Sequence, residues 1–352
     1  MDIRQFEGRK RDHLRHALDP AHQASGLSGL DQIRLVHVAL PDLDFQDVRL
    51  DSDSLGGGSL TPFYVAAMTA GHADASSLNH LFAQACQERG WALGVGSQRR
   101  ELESESTDLT GGVDLWRSLR REAPRLRLFA NLGISQLIRA PLERVRKLVD
   151  VLEAQALVVH ANALQEALQP EGTPLFKGAL GALQRVCAEI GVPVVLKETG
   201  CGFSAKTLGR LREIGLAAVD VSGLGGTHWG RIEGARAEGG GLHSVAALTF
   251  AEWGEPTVES VLAARHELSS STEVWASGGV RTGLDAAKLI ALGAHQVGFA
   301  KPALEAALAG TEPLRQWMAA REFELRVALF CTGSDSPARL RNKEGVWKPN
   351  AV

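Results

Sequence analysis

Residues 156–172 read ALVVHANALQEALQPEG: a four-residue apolar run that stops abruptly and then supplies His160, Asn162, Gln165 and Glu166 within seven residues. The β-branched pair Val158–Val159, with Pro170 and Gly172 beyond it, favours a buried strand running into a loop over a helix segment. His160 to Glu166 then stand at a strand's carboxyl end. In parallel α/β proteins that end carries the chemistry, because the strand is rigid and the loop after it is free to vary. A single loop of this kind is equally well read as a polar connection with one core histidine, so the question is whether other strands end the same way.

Eight short apolar runs follow Thr61: Phe63–Ala67, Trp91–Val95, Leu126–Ala130, Ala156–Val159, Val192–Leu196, Ala217–Val221, Glu273–Ala276 and Gln296–Phe299. Segments of helical period separate them, among them Ser76–Arg89, stopped by Gly90, and Pro141–Ala154, with proline at a first helical position. Eight strand–helix units predict a (β/α)8 TIM barrel over residues 61–352, since right-handed crossovers close naturally at eight. A doubly wound open sheet is the structural alternative. Residues 1–60 show no sustained period beyond a possible helix at about 9–18 and read as an N-terminal extension. The stretch 223–270 is too long for one loop, which predicts a mobile flap over the barrel mouth and one added helix after Pro256–Thr257.

Composition sets the outer bounds. The chain has 352 residues, 44% of them apolar, and a net charge of −3, which argues against a nucleic-acid protein despite the basic cluster Arg9, Lys10, Arg11, His13, Arg15 and His16. Cys86, Cys187, Cys201 and Cys331 form no CxxC pair, as expected of reduced thiols in a cytoplasmic enzyme. No apolar window approaches the roughly 18 residues of a membrane span, and Met1 is followed by charge rather than by a signal segment.

The residues following the runs are Met68–Thr69, Gly96–Arg99, Asn131, His160–Asn162, Lys197–Glu198, Ser222, Ser277–Gly279 and Ala300–Lys301. Each is a glycine or a hydrogen-bonding group, and eight of them converging on one barrel mouth make a binding site. Ser277-Gly-Gly-Val-Arg-Thr-Gly283 leaves the seventh run and enters a helix, where glycines and unpaired amides suit a phosphate. Lys197, buried in the mouth, needs an anion, either the N1/C2=O edge of a reduced flavin or a core partner, Glu198 or Glu166. Glu166 could hold Mg²⁺ if a diphosphate shares the ion.

These stretches resemble the type 2, FMN-dependent isopentenyl-diphosphate delta-isomerases. The resemblance rests on Arg9-Lys-Arg-Asp-His13, Pro62-Phe63 with Met68-Thr69, Gly94-Val-Gly-Ser-Gln-Arg99, Ala130-Asn-Leu-Gly133, His160 to Glu166 with Gln169-Pro-Glu-Gly172, Lys197-Glu198, Asp220-Val-Ser-Gly-Leu-Gly-Gly-Thr227, Trp253-Gly-Glu-Pro-Thr257 and Ser277 to Gly283. It implies FMN at Ala67, Met68, Thr69, Ser97, Asn131, Lys197, Ser222, Thr227, Gly278, Gly279, Val280, Ala300 and Lys301. It implies the substrate at Arg9, Lys10, Ser97, Gln98, Arg99, His160, Asn162 and Gln165, with His160 and Gln165 catalytic and Glu166 the Mg²⁺ ligand. Where the family commonly has two glycines after Met-Thr, this chain has Ala70-Gly71.

The implied reaction interconverts isopentenyl and dimethylallyl diphosphate by a 1,3-proton shift without net redox. Apart from the neutral amide of Gln165 no acid or base stands out, so the expected acid and base is reduced FMN itself, with NAD(P)H as the reductant. No GxGxxG fingerprint is visible, so the nicotinamide would bind transiently. A soluble cytoplasmic homo-oligomer, tetramer or octamer, is expected from the resemblance, with no nucleic-acid or membrane partner. Two rivals remain. A flavin-dependent 2-hydroxy-acid oxidase would need a histidine base where Leu224 and Thr227 stand, with His228 one residue beyond; a non-catalytic flavin or isoprenoid-phosphate binder would not need Gln165 and Glu166 together.

Overall fold

Successive side chains on a strand face opposite sides. On the first run Phe63 and Val65 therefore join the core shared with the helices, while Tyr64 and Ala66 join a second, inner cluster with Ala92, Phe129, Ala156, Val158, Val195, Ala218 and Trp275. A sheet with two apolar faces must be covered on one and closed on the other, and a barrel does both.

The computed structural model describes residues 12–68, 73–103, 110–237 and 240–350. Its strands, numbered in chain order, are β1 (Phe63–Val65), β2 (Ala92–Gly94), β3 (Leu128–Gly133), β4 (Ala156–Ala161), β5 (Val194–Glu198), β6 (Ala218–Asp220), β7 (Glu273–Ala276) and β8 (Gln296–Phe299). They form one closed barrel in that order, all neighbours parallel, and β8 closes on β1 through Val297 opposite Phe63. The open sheet is excluded, and every strand overlaps its expected run. Inside, the Trp275 ring centroid lies 5.2 Å from that of Tyr64 and 5.3 Å from that of Phe129. Each such ring contributes roughly 1.5–3 kcal/mol by burial.

Residues ahead of β1 close both ends. A hairpin of Ser52–Ser54 and Gly57–Ser59 seals the amino-terminal end, where Ser54 Oγ and Leu55 N donate to Glu273 at 2.6 and 2.7 Å. Ile33–Leu35 pairs antiparallel with Trp347–Pro349. At the carboxyl end, Ala24 N donates to Gly226 O at 2.8 Å and Val258 N to Ser28 O at 3.0 Å, so residues 20–28 run along the mouth.

The stretch after β6 differs from expectation. Thr257–Glu267 is the ordinary crossover helix between β6 and β7 rather than an addition. The insertion lies before it and is helical: Trp229–Arg236 and Leu242–Thr249 pack on each other and on Ala163–Leu168. Among the described residues no helix is long and apolar enough to cross a membrane.

Candidate active site

The alternation that fills the barrel also builds its mouth. Counting inward positions on from Phe129, Val158, Val195, Ala218 and Trp275 gives Asn131, His160, Lys197, Asp220 and Ser277. Strand register sets His160 beside Lys197, and Lys197 beside Asp220. Asn131 Oδ1 accepts from His160 Nδ1 at 2.9 Å, and Asn131 Nδ2 donates to Val95 O at 3.0 Å, so the imidazole is aimed from β3.

A cavity of about 500 Å³ opens here. From the expected flavin set, Ala67, Met68, Ser97, Asn131, Lys197 and Ser222 line it, as do Thr227, Gly278, Gly279, Val280, Ala300 and Lys301. So do Arg99, His160, Asn162, Gln165 and Glu166 from the substrate and metal set. Thr69, Arg9 and Lys10 lie outside the described residues. Gln98 does not reach the cavity: it is fully buried, donates to Leu148 O at 3.3 Å and accepts from Asn131 N at 3.1 Å. It braces Asn131 from behind, facing away from the side Ser97 occupies.

The glycine turn is built for close backbone approach. Gly278 and Gly279 have φ of 96° and 75°, and a Cβ on Gly278 would stand 2.1 Å from Gly223 O. The helix that follows, Gly283–Leu292, does not offer open amides as expected, because Thr282 and Asp285 cap each other and Glu324 accepts from Gly283 N. Open amides come instead from Lys301–Ala309, which starts at the cavity without a side-chain cap.

Neither carboxylate expected beside Lys197 is its partner. Glu198 faces the other side of β5, and its Oε2 accepts from Thr199, Gly200 and Cys201 N at 2.5–2.6 Å. Burial pushes its carboxyl up to about 7 against those bonds. Lys197 Nζ instead stands 2.7 Å from Asp220 Oδ2 and donates to Ser277 Oγ at 2.8 Å. Asp220 is completely buried and also accepts from Ser277 Oγ, Ser222 N and the Tyr64 hydroxyl. Burial and the Asp220 charge hold the Tyr64 hydroxyl far above its ordinary value.

Behind Gln165 stands a carboxylate that sequence reasoning missed. Gln165 Nε2 donates to Glu233 Oε1 at 2.9 Å, His13 Nε2 reaches the same oxygen at 2.9 Å, and Arg236 pairs with Oε2. Glu233 is fully buried. Burial alone would raise its carboxyl, but His13, Gln165 and Arg236 outweigh burial and hold it below the usual carboxylate range. Gln165 Oε1 accepts from Asn162 Nδ2 at 3.1 Å, which fixes its amide at both ends. Glu166 accepts from Asn162 Nδ2 at 3.1 Å and Thr173 N at 2.5 Å.

The FMN-dependent dehydrogenase family matches residues 109–347. An isopentenyl-diphosphate delta-isomerase of Legionella pneumophila (strain Corby) is 53% identical over 330 residues, 94% of this chain and 95% of its own. One from Bdellovibrio bacteriovorus is 48% identical over 97% and 98% of the two chains. The chain belongs to the type 2, FMN-dependent isopentenyl-diphosphate delta-isomerases. A mutant of mandelate oxidase with (S)-mandelic acid superposes with a TM-score of 0.68 at 20% identity, over 98% of this chain and 95% of that one, a likeness of fold.

The geometry fits this isomerase family's flavin on its own terms. A Cβ at Gly226 would meet Gly279 N at 2.8 Å, so the glycine turn tolerates only glycine against it, and Lys197, Asn131 and Ser222 ring the same cavity. The histidine that the oxidase reading offers as base does not face the cavity. His228 is fully buried and off the cavity; its Nδ1 accepts from Arg231 N at 3.2 Å, and its Nε2 faces Trp253 O at 3.3 Å. Burial lowers its basicity as well. With His228 turned away from the cavity, adding lactate, glycolate or mandelate to the oxidised flavoprotein is expected to leave the flavin band unbleached; rapid anaerobic bleaching would restore the oxidase reading.

Proposed function

We propose that this chain interconverts isopentenyl and dimethylallyl diphosphate by a 1,3-proton shift on bound, reduced FMN. The observation that carries it is one cavity with a flavin rim, Lys197, Gly278–Val280 and Ala300–Lys301, facing the β4 group His160, Asn162, Gln165 and Glu166. Bound FMN supplies a proton donor and acceptor once reduced, with NAD(P)H as the natural reductant.

The chain's own residues bind and orient. The imidazole of His160, held by Asn131, and the guanidinium of Arg99 meet the diphosphate. Arg9 and Lys10, which lie outside the described residues, are the further cations proposed for the diphosphate, and His13 and Leu14 of the same stretch line the cavity. Gln165, fixed between Asn162 and Glu233, holds the reacting carbons in place. Glu166 is the residue that would hold Mg²⁺, which would share the diphosphate's charge. Among the described residues no group of three or more His, Cys, Asp and Glu could hold a metal, so substrate oxygens and water must complete its shell. Asn162 Oδ1, buried beside Glu166 and without a hydrogen-bond partner among the described residues, would be a second oxygen ligand.

The test is direct. The purified protein is expected to be yellow and, with Mg²⁺, to convert isopentenyl diphosphate only after reduction by dithionite or NADPH, without reoxidising the flavin. Yellow protein that stays inactive when reduced would mean a binder instead.

A further inference from the structure

We propose that Asp220 is a positioning residue that sets the reduction potential of the bound flavin by balancing the charge of Lys197. The inference rests on FMN occupying this cavity. Asp220 itself is completely buried and does not line it; Lys197 does. An ammonium has three N–H groups. In Lys197 one reaches Asp220 Oδ2 and one Ser277 Oγ, which leaves one for the cavity. Both oxygens of Asp220 are occupied by donors, Tyr64 and Lys197 on Oδ2, Ser277 and Ser222 on Oδ1, as suits an ionised carboxylate held in one place.

The consequence is electrostatic. Reduction adds negative charge to the flavin ring, so a lone Lys197 would favour it strongly; the buried carboxylate behind Lys197 opposes it, and the pair is neutral. Among the described residues the other titratable groups near this pair are His160, beside Lys197 on β4, Tyr64, bonded to Asp220, and Glu198, on which the Lys197 charge also acts.

Anaerobic titration with dithionite and a reference dye measures the two-electron potential of the FMN-loaded protein, and flavin release gives the affinity of the oxidised form. In Asp220→Asn the potential rises, the ratio of reduced to oxidised FMN affinity increasing about tenfold, which for a two-electron couple is about 30 mV. In Lys197→Met it falls, and in the double variant, stripped of both charges, it returns toward the parent value. A merely structural Asp220 would weaken both flavin states equally and leave the ratio unmoved, which overturns the proposal, as does a fall in Asp220→Asn. If Asp220→Asn does not fold, the double variant still decides: with the Asp220 charge gone its potential lies above that of Lys197→Met, and equal potentials in the two overturn the proposal. A protein that never takes up FMN would instead sink the flavin reading itself.

Discussion

Glu233→Gln is expected to lower isomerase turnover about 10²-fold while FMN stays bound, because the change acts on how Gln165 is held rather than on the flavin. One carboxylate oxygen serves Gln165 and His13 together and the other serves Arg236. A carboxamide supplies one acceptor where two are needed and turns an NH₂ toward a guanidinium or an imidazole N–H. Gln165 then loses the contact that sets its amide, and the substrate carbons lose a fixed wall. Glu233→Ala would also open a hole where a fully buried side chain stood and leave Arg236 with Glu171 alone, so the isosteric change is the cleaner probe. Steady-state kinetics with flavin-saturated protein checks it: in a Gln165→Ala background the same change should have little further effect, because two residues acting through one contact are not additive. An undiminished turnover in Glu233→Gln would remove Gln165 from the positioning role.

How much of this was legible beforehand depends on distance along the chain. The barrel and its rim follow from local patterns: a period of two inside each run, glycines after β7, a lysine two residues on from Val195. Asp220 was equally accessible, since the parity that points Ala218 inward points Asp220 inward too, but of the stretch Asp220–Thr227 only Ser222 and Thr227 were expected to have a role. Gln98 shows the converse error. Placed beside Ser97 by motif, it faces the opposite side and braces Asn131. Glu233 and His13 were out of reach for a different reason: their contact joins residues 220 apart, and Trp229–Arg236 carries no local signal of a site. The self-capped start of Gly283–Leu292 could have been read from Thr282 and Asp285, three residues apart, as a box that already satisfies those amides.

Gly278→Ala is expected to weaken FMN retention by about ten- to a hundredfold, which follows from backbone alone. At a φ of 96° an L side chain is strained, which costs about 1–3 kcal/mol before any contact is counted. The added Cβ would also stand 2.1 Å from Gly223 O and 2.7 Å from Gly223 N. Neither atom is free to retreat, because Gly223 N donates to Ser277 O at 3.1 Å and Thr257 Oγ1 pins Gly278 O at 2.8 Å. The turn must therefore open, and the amides of residues 278–280 leave the places where they would meet a phosphate. Gly181→Ala is the matched control. It lies within the helix Ala179–Glu189, has nothing within 4 Å of the new carbon, and should gain about 0.5–1 kcal/mol in stability with FMN binding unchanged. Fluorescence titration of apoprotein with FMN, beside thermal melts of both variants, separates the two effects; equal FMN affinity in both would mean that the phosphate does not sit on this turn.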